Sequence, residues 1–341
     1  MDQLKDITVI VASLNRPKHA LRTLKYWSRL KITTHLVDGS EKPISASELV
    51  NLDEKVKYHH IKTFSEIDRI NNILNLINTK YCILSSDDDM LLPNALVGCI
   101  NKLEANPDFT SCFGQVMAFE NNKEKTKFHR AYDNLNDYSI LSNDKNTRLK
   151  KNMINYLPSI ILSVMRSDIF KLIFEPTDFS KIHYHAALEL RASLIASYYG
   201  KSICLPNLIL LRNKSTIGAR RLTSENSSMF KFWFHPSKKS EKNYFLNFLT
   251  SSIKENKNKS ELRKIFRKAI NYYLLNIVIR FFTIKIAYLI TCNIPYLWKK
   301  HKEKKQKKGF FLDNMTDVCK KNNIYLDNND FHIIKNEVNK V

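Results

Sequence analysis

Three adjacent carboxylates, Asp87, Asp88 and Asp89, follow a short apolar run that begins at Tyr81 and precede Pro93. Like charges this close raise one another's pKa, so a cluster that stays ionised normally has a cation beside it. Oxygen ligands of this kind suit Mg²⁺ or Mn²⁺ better than zinc. The simpler alternative is that one Asp caps a helix predicted to start near residue 91, which leaves the other two carboxylates unexplained.

Strands and helices alternate along the first hundred residues. Apolar runs predict strands, and apolar residues at helical spacing predict helices between them. The predicted strands cover residues 7–12, 34–38, 56–61 and a segment from 81, with helices around 21–27 and from 65 through 77. This alternation predicts an α/β fold with a doubly wound, mostly parallel sheet and helices on both faces.

Polar side chains stand where these predicted strands end. Ser13, Asn15 and Arg16 follow the first strand, Asp38 ends the second, and the Asp triplet follows the fourth. Sheets of this class bind ligands at the carboxyl ends of their strands. We therefore expect these side chains to converge in one crevice.

The three motifs, residues 9–16, 36–40 and 84–93, resemble in order and spacing the nucleotide-sugar-binding half of GT-A fold glycosyltransferases, closest to glycosyltransferase family 2. The resemblance covers roughly residues 5 to 215. It implies that Asp38 contacts the nucleobase and that the acidic motif holds the ribose and a metal ion, Mn²⁺ or Mg²⁺, on the diphosphate. Arg69 is a further donor-binding candidate.

One position departs from that family pattern. Family members often have Asp-x-Asp-Asp before Leu-x-Pro, and Ser86 stands where the first Asp is expected. Either Asp87 and Asp89 form the working pair, or Asp87 replaces the missing carboxylate. We predict Asp89 as the metal ligand, with Asp87 and Asp88 sharing the ribose and metal contacts.

A second candidate cluster covers residues 181–189, which predict the start of a helix that ends near Gly200 and leads to a strand over 202–211. His185 and Glu189 are four residues apart and share a helical face. Transfer to a hydroxyl needs a general base, and the resemblance implies an acidic residue here. We predict Glu189 as the base, with His185 and then His183 as the next candidates.

Other interpretations of this cluster stay open. Glu189 could form a surface salt bridge with Arg191 or another neighbour. The two histidines could be solvated, contact the acceptor, or ligate an extra metal ion such as zinc with Glu189.

Cations follow the second cluster. Arg212, Lys214, Arg220 and Arg221 lie in a segment rich in Ser, Thr and Gly. Guanidinium groups pair well with phosphate oxygens, so this segment is predicted to close over the diphosphate. The alternative is an ordinary solvated loop.

The scarcity of glycine excludes two classes of nucleotide-binding protein. The sequence has six glycines in 341 residues, and they form neither a GxGxxG motif nor a phosphate-binding P-loop motif. This excludes Rossmann dehydrogenases and P-loop NTPases.

The six cysteines form no CxxC pair and are predicted to be buried thiols. No leader-like segment precedes Ile7, so we expect a cytoplasmic protein.

Length predicts a catalytic domain over residues 1–230, a helical basic appendage over 231–308 and a short extension over 309–341 without a predicted role. Residues 238–308 hold nineteen Lys and Arg against four Glu, and they are rich in aromatic side chains. Arg280, Lys285 and Pro295 disfavour a membrane span. We predict an in-plane helix with a polybasic segment, 299–308, on the anionic inner face of a membrane; the alternative is a buried helical subdomain.

These features predict a metal-dependent glycosyltransferase. It would move a sugar from a nucleotide-sugar donor to a hydroxyl of a surface-glycan acceptor, polysaccharide or lipid-linked, with inversion if Glu189 is the base. The competing hypothesis is a nucleic-acid-binding protein, based on the net charge of +22. Against it, the positive charge lies in an aromatic appendage, and the acidic triplet would repel phosphate. We therefore expect no nucleic-acid partner.

Overall fold

The computed structural model describes residues 2–121, 126–132, 135–157, 160–175, 181–182, 186–214, 229–255, 258–292 and 309–338. The strands in these residues are β1 (Ile7–Ser13), β2 (Thr34–Asp38), β3 (Val56–His60), β4 (Tyr81–Ser86), β5 (Met90–Leu91), β6 (Phe109–Asn121), β7 (Thr126–Arg130), β8 (Ser139–Ile140), β9 (Val164–Arg166), β10 (Lys201–Asn213) and β11 (Phe310–Phe311). The helices are α1 (Pro17–Leu30), α2 (Ala46–Leu49), α3 (Glu66–Asn71), α4 (Pro93–Glu104), α5 (Lys145–Ile154), α6 (Ser167–Phe174), α7 (Ala187–Tyr199), α8 (Met229–Phe234), α9 (Lys239–Ser251), α10 (Lys259–Cys292), α11 (Met315–Lys321) and α12 (Asn328–Glu337).

The centre of the sheet is parallel. Strands β3, β2, β1 and β4 lie side by side in that order, and all three of their pairings are parallel. β1, β2 and β4 are buried along almost their whole length, as expected for strands covered on both faces. The predicted α/β fold with a doubly wound, mostly parallel sheet is confirmed.

The chain reverses direction across the sheet between β1 and β4. It moves outward from β1 to β2 and β3, then returns to place β4 on the other side of β1. Such a switch point opens a crevice at the carboxyl ends of the two strands. Beyond β4 the sheet continues through β9, β6, β7 and β11 with antiparallel pairings, while β10 lies parallel to β6.

Two predicted helices differ from the observed ones. The helix predicted through residue 77 ends at Asn71 and is followed by a 3₁₀ turn, Leu74–Leu76. Asparagines interrupt it because their side chains compete for backbone groups: Asn72 Nδ2 donates to the carbonyl of Asp68 at 2.7 Å. The helix predicted to open at residue 181 begins at Ala187, and residues 183–185 lie outside the described residues.

The basic appendage packs against α5 and α7. Helix α10 buries Leu262, Phe266, Ile270 and Leu274 at helical spacing, and it contacts α5 and α9. In the described residues, no helix is both long enough and apolar enough to cross a membrane.

The five cysteines whose side chains are described are buried and free of disulfides, namely Cys82, Cys99, Cys112, Cys204 and Cys319. The predicted polybasic segment 299–308 lies outside the described residues.

Residues 309–338 return to the α/β core. Phe310 and Phe311 add an antiparallel strand to β7, and Tyr325 forms a parallel β-bridge with Asn207 of β10. The segment ends at α12, which contacts α4. This extension is therefore part of the core fold.

Candidate active site

The Asp triplet begins directly after β4, at the switch point. Ala12 of β1 is paired with Ser86 of β4, so the loop after β1 lies beside the triplet. The exposed fractions of Asp87, Asp88 and Asp89 are 0%, 7% and 8%, so all three are buried. The sequence predicted this convergence of strand ends, and the structure brings the side chains together.

Asp87 is held on both carboxylate oxygens and on its backbone carbonyl. Ser13 Oγ donates to Oδ2 at 2.7 Å, Arg16 Nε donates to the same oxygen at 3.2 Å, and Arg16 Nη2 contacts Oδ1. Thr23 Oγ1 and Arg22 Nη2 donate to the carbonyl at 2.7 and 2.9 Å. Burial raises the pKa of Asp87 to about 6 although Arg16 and Ser13 oppose that rise.

Asp88 shares the same guanidinium. Arg16 Nη1 donates to Asp88 Oδ2 at 2.8 Å, and Ser86 Oγ donates to Oδ1 at 3.0 Å. Burial by itself lowers the pKa of Arg16, but Asp88 and Asp87 outweigh burial and raise it. Arg16 therefore remains charged and pairs with both carboxylates.

Asp89 faces the end of β10. The backbone N–H of Asn213 donates to its Oδ1 at 3.2 Å, and Arg212 Nε lies 3.7 Å from its Oδ2. Burial raises the pKa of Asp89 to about 6, against the charge of Arg212. Arg212 also donates to the hydroxyl of Tyr132 at 2.7 Å, and although burial lowers its pKa, negative groups including Asp89 and Glu189 raise it overall.

Three arginines provide positive charge beside the Asp triplet. Arg16, Arg22 and Arg212 surround the three carboxylates, so the cluster has positive partners from the protein itself. These arginines offset part of the negative charge of the triplet. The described residues contain no group of three or more His, Cys, Asp or Glu side chains that could hold a metal ion alone.

A second polar pocket lies at the end of β2. Ser40 donates to Asp38 Oδ1 through its N–H at 2.9 Å and also through its hydroxyl, and Tyr58 donates its hydroxyl to Oδ2 at 2.7 Å. The N–H of Asn15 donates to Ser40 Oγ at 2.7 Å, which connects this pocket to the loop after β1. Asn15 has a φ of 56°, a left-handed conformation that Asn tolerates better than most residues.

Arg69 packs against Gly39, the residue that follows Asp38. Arg69 is 3% exposed and donates to the carbonyl of Thr63 at 2.6 Å, while its Nε has no hydrogen-bond partner. Burial lowers the pKa of Arg69, opposed by acids that include Asp38 and Asp87. A Cβ at Gly39 would lie 2.4 Å from Arg69 Nη1 and 2.3 Å from the Thr63 carbonyl, so only glycine fits here.

Glu189 lies in the first turn of α7 and is half-buried. Its charge acts on Arg212, the residue beside Asp89. Arg191 turns into the core, where its Nη2 donates to the carbonyl of Leu172 and to Ser252 Oγ, both at 2.7 Å. A salt bridge between Glu189 and Arg191 is therefore wrong, while a salt bridge from Glu189 to another neighbour stays a prediction.

Four other predicted candidates, His183, His185, Arg220 and Arg221, lie outside the described residues. Sequence reasoning missed Arg22, Thr23, Tyr58 and Tyr132. For Thr23 a signal existed, because it lies on the same helical face as the buried Ala20 and Trp27. Tyr58 and Tyr132 carry no comparable local signal.

Comparison with known proteins supports the fold. No protein-family model matches the chain, and no curated protein matches its sequence. Among solved structures, it is similar to S. aureus TarS 1–349 in complex with UDP-GlcNAc, with a TM-score of 0.51 and 12% identity, covering 79% of this chain and 72% of that chain. Another structure of S. aureus TarS 1–349 matches at a TM-score of 0.44 and 11% identity, covering 79% and 89%. The chain has a GT-A-like α/β fold.

Proposed function

We propose that this protein is a glycosyltransferase that moves a sugar from a nucleotide-sugar donor to a hydroxyl group. The observation that carries the proposal is the convergence of Asp38, Arg16 and the Asp triplet at the ends of three adjacent parallel strands. The TarS structure with a similar fold is a complex with UDP-GlcNAc, which supports a nucleotide sugar as the donor class. The proposed acceptor class is a surface-glycan precursor at the inner face of the membrane.

The Asp38 pocket suits the nucleobase. A carboxylate has about four lone-pair sites, so Asp38 retains acceptor capacity for a base N–H while it binds Ser40 and Tyr58. Those two donors fix its orientation before the ligand arrives. Arg69 packs against Gly39, directly after Asp38.

A divalent cation, Mg²⁺ or Mn²⁺, is part of the proposal. Asp89 is the best candidate ligand in the triplet because its Oδ2 lies beyond hydrogen-bond distance from Arg212, whereas both oxygens of Asp87 accept from Arg16 or Ser13. Magnesium sites commonly combine one or two carboxylates with substrate phosphates, which fits the lack of a larger protein ligand set among the described residues. When bound, the ion would neutralise charge on the leaving diphosphate.

Glu189 is the proposed general base. Its carboxylate would take the proton of the acceptor hydroxyl as that oxygen bonds to the anomeric carbon, while the bond from this carbon to the diphosphate oxygen breaks. Arg212, on the Asp89 side, would stabilise the departing nucleoside diphosphate. One direct displacement inverts the anomeric configuration. His185 is the alternative base.

Helix α10 supports attachment to an anionic membrane surface. Lys264, Lys268, Leu275, Ile279 and Phe282 are exposed and recur at intervals of three, four or seven residues, so they share one face of the helix. A face with cations at one end and apolar side chains at the other matches an interfacial helix, which combines apolar burial with attraction to anionic lipid.

Thermal unfolding with candidate donors tests the proposal. A ligand that binds the native state alone raises its stability by about 2.7 kcal/mol at one hundred times its Kd. We expect UDP or UDP-GlcNAc with Mg²⁺ or Mn²⁺ to raise Tm, and excess EDTA to abolish the rise. We also expect slow donor hydrolysis, measured as nucleotide release. If no nucleoside diphosphate or nucleotide sugar stabilises the protein with either ion, the proposal is wrong.

A further inference from the structure

The C-terminal helix α12 contacts the start of α4, directly after the Asp triplet. Asp330 is 1% exposed. Its Oδ1 accepts from the backbone N–H and from Nδ2 of Asn94, both at 3.2 Å, and its Oδ2 accepts from the N–H of Ala95 at 3.3 Å. These are N–H groups that a helix leaves unsatisfied in its first turn. Leu92, the residue before α4, has no side chain able to cap them.

The other end of α12 contacts α1. Glu337 Oε2 lies 2.7 Å from Arg29 Nη2. Glu337 also lines a small cavity together with Asp89, Met90 and residues of α1 that include Arg22 and Tyr26. Tyr26 donates its hydroxyl to the carbonyl of Leu91 at 2.7 Å. Helix α12 therefore touches both helices that flank the triplet.

Residues 87–95, from the Asp triplet to the start of α4, are held by contacts from several parts of the chain. Residues of α1 donate to the Asp87 carbonyl, the N–H of Leu92 donates to the carbonyl of Ile209 at 2.9 Å, and Asp330 fixes the next two amides, Asn94 and Ala95. Loss of the Asp330 anchor would free the C-terminal end of this segment. The residues between the anchors include Asp88 and Asp89.

Burying a carboxylate at this contact is costly. Burial raises the pKa of Asp330 to about 6, although its bonds to Asn94 and Ala95 oppose that rise. A Ser, Thr, Asn or Asp at position 92 could cap α4 locally at lower cost. The chain instead uses a residue 236 positions later than Asn94, which ties the triplet to the folding of the C-terminal extension.

We infer that residues 309–338 form a strap across the active site, in which Asp330 and Glu337 are positioning residues for the Asp triplet. They hold α4 and α1 in place and touch no substrate. The catalytic part of this inference rests on the proposed function, because it assigns the triplet to donor binding.

Two alanine variants test the strap. Asp330→Ala removes the remote cap of α4, and Asp144→Ala removes a local cap of the same chemistry from α5, where Asp144 Oδ2 accepts from the N–H of Thr147 at 2.7 Å. Both lose a carboxylate that binds helix amides. Asp330→Asn is the conservative variant, since it keeps one side-chain oxygen as acceptor.

Amide hydrogen exchange in the ligand-free protein is the first measurement. We expect Asp330→Ala to speed exchange of peptides covering residues 86–95 at least tenfold, Asp330→Asn to speed it less, and Asp144→Ala to leave it within twofold of wild type. The second measurement is donor hydrolysis with UDP-GlcNAc and Mn²⁺. We expect Asp330→Ala to lower kcat/KM at least tenfold and Asp144→Ala to lower it less than twofold.

The outcomes separate the two proposals. If wild type hydrolyses the donor and Asp330→Ala matches Asp144→Ala in both measurements, the strap only adds stability and the inference is wrong. If wild type neither binds nor hydrolyses any nucleotide sugar, the proposed function fails, and hydrogen exchange alone decides whether Asp330 orders the triplet. Should Asp330→Ala not fold, Asp330→Asn and Glu337→Gln decide the question with the same two measurements.

Discussion

Replacing Asp89 by Asn should stabilise the ligand-free protein. Burial raises the pKa of Asp89 from 3.8 to about 6. An acid whose pKa rises on folding contributes stability that is present below the unfolded pKa and lost as the pH rises through the folded one. At pH 8 the ionised carboxylate therefore costs about 3 kcal/mol of unfolding free energy, since each pKa unit is worth about 1.4 kcal/mol.

The amide introduced by Asp89→Asn would imitate the protonated acid. Its side-chain oxygen can still accept from the N–H of Asn213, so the main hydrogen bond survives. The lost ion pair with Arg212 is already contained in the pKa of about 6, and Arg212 keeps Tyr132 as its partner, so the expected gain at pH 8 stays about 3 kcal/mol. For a chain of this length that gain corresponds to a rise in Tm of about 4 °C. Near pH 4 the gain should shrink to about 0.5 kcal/mol, because Asp89 is then largely protonated in the folded state.

Urea unfolding between pH 4 and pH 8 measures this effect. The control is Asp144→Asn, because hydrogen bonds from Thr147 lower the pKa of Asp144 and its replacement should not stabilise the protein at any pH. The reasoning is refuted if Asp89→Asn destabilises the free protein at pH 8, or if its gain does not depend on pH.

Three further predictions concern the proposed activity. Glu189→Gln should keep donor affinity and lower kcat by about 10² to 10⁴, the usual contribution of a positioned general base. Tyr58→Phe removes a hydrogen bond to the Asp38 carboxylate, so the Kd for UDP, measured by calorimetry, should rise roughly tenfold with kcat unchanged. Reversing Lys264 and Lys268 to Glu should lower binding to anionic vesicles at least tenfold at low salt, because each cation near such a surface contributes about 1 kcal/mol.

Two of these predictions have a matched control variant. Glu261→Gln, at the exposed start of α10, should leave turnover unchanged, and equal losses in both Glu variants would argue against a base at Glu189. If Tyr58→Phe binds UDP as tightly as wild type does, the proposal that Asp38 binds the nucleobase is contradicted. Reversal of Lys55 and Lys57, two exposed lysines at the start of β3, should leave vesicle binding intact. If it reduces binding as much, the α10 face is not the attachment.

The sequence determined the central sheet and the position of its crevice. β1, β2, β3 and β4 match the predicted strands within a residue or two, because β-branched and apolar runs bounded by polar turns are local signals. Strand alternation also predicted that Arg16, Asp38 and the triplet would meet, since parallel strands bring their carboxyl ends to one edge. The prediction that helix α3 continues beyond Asn71 was wrong, because the side chain of Asn72 hydrogen-bonds the backbone of the helix despite the apolar spacing that follows.

Tertiary structure alone decided the electrostatics of the site and its C-terminal anchor. The sequence predicted a divalent cation as the counter-charge of the triplet, whereas packing places three arginines beside it, Arg16, Arg22 and Arg212, which are distant from it along the chain in both directions. Packing also turned Arg191 into the core and placed Asp330 on α4. Local patterns report how a segment folds, but they hold no information about which distant side chain will meet it. The raised pKa of Asp89 therefore could not be predicted from local sequence patterns, because it results from burial, and burial depends on every element packed around the residue.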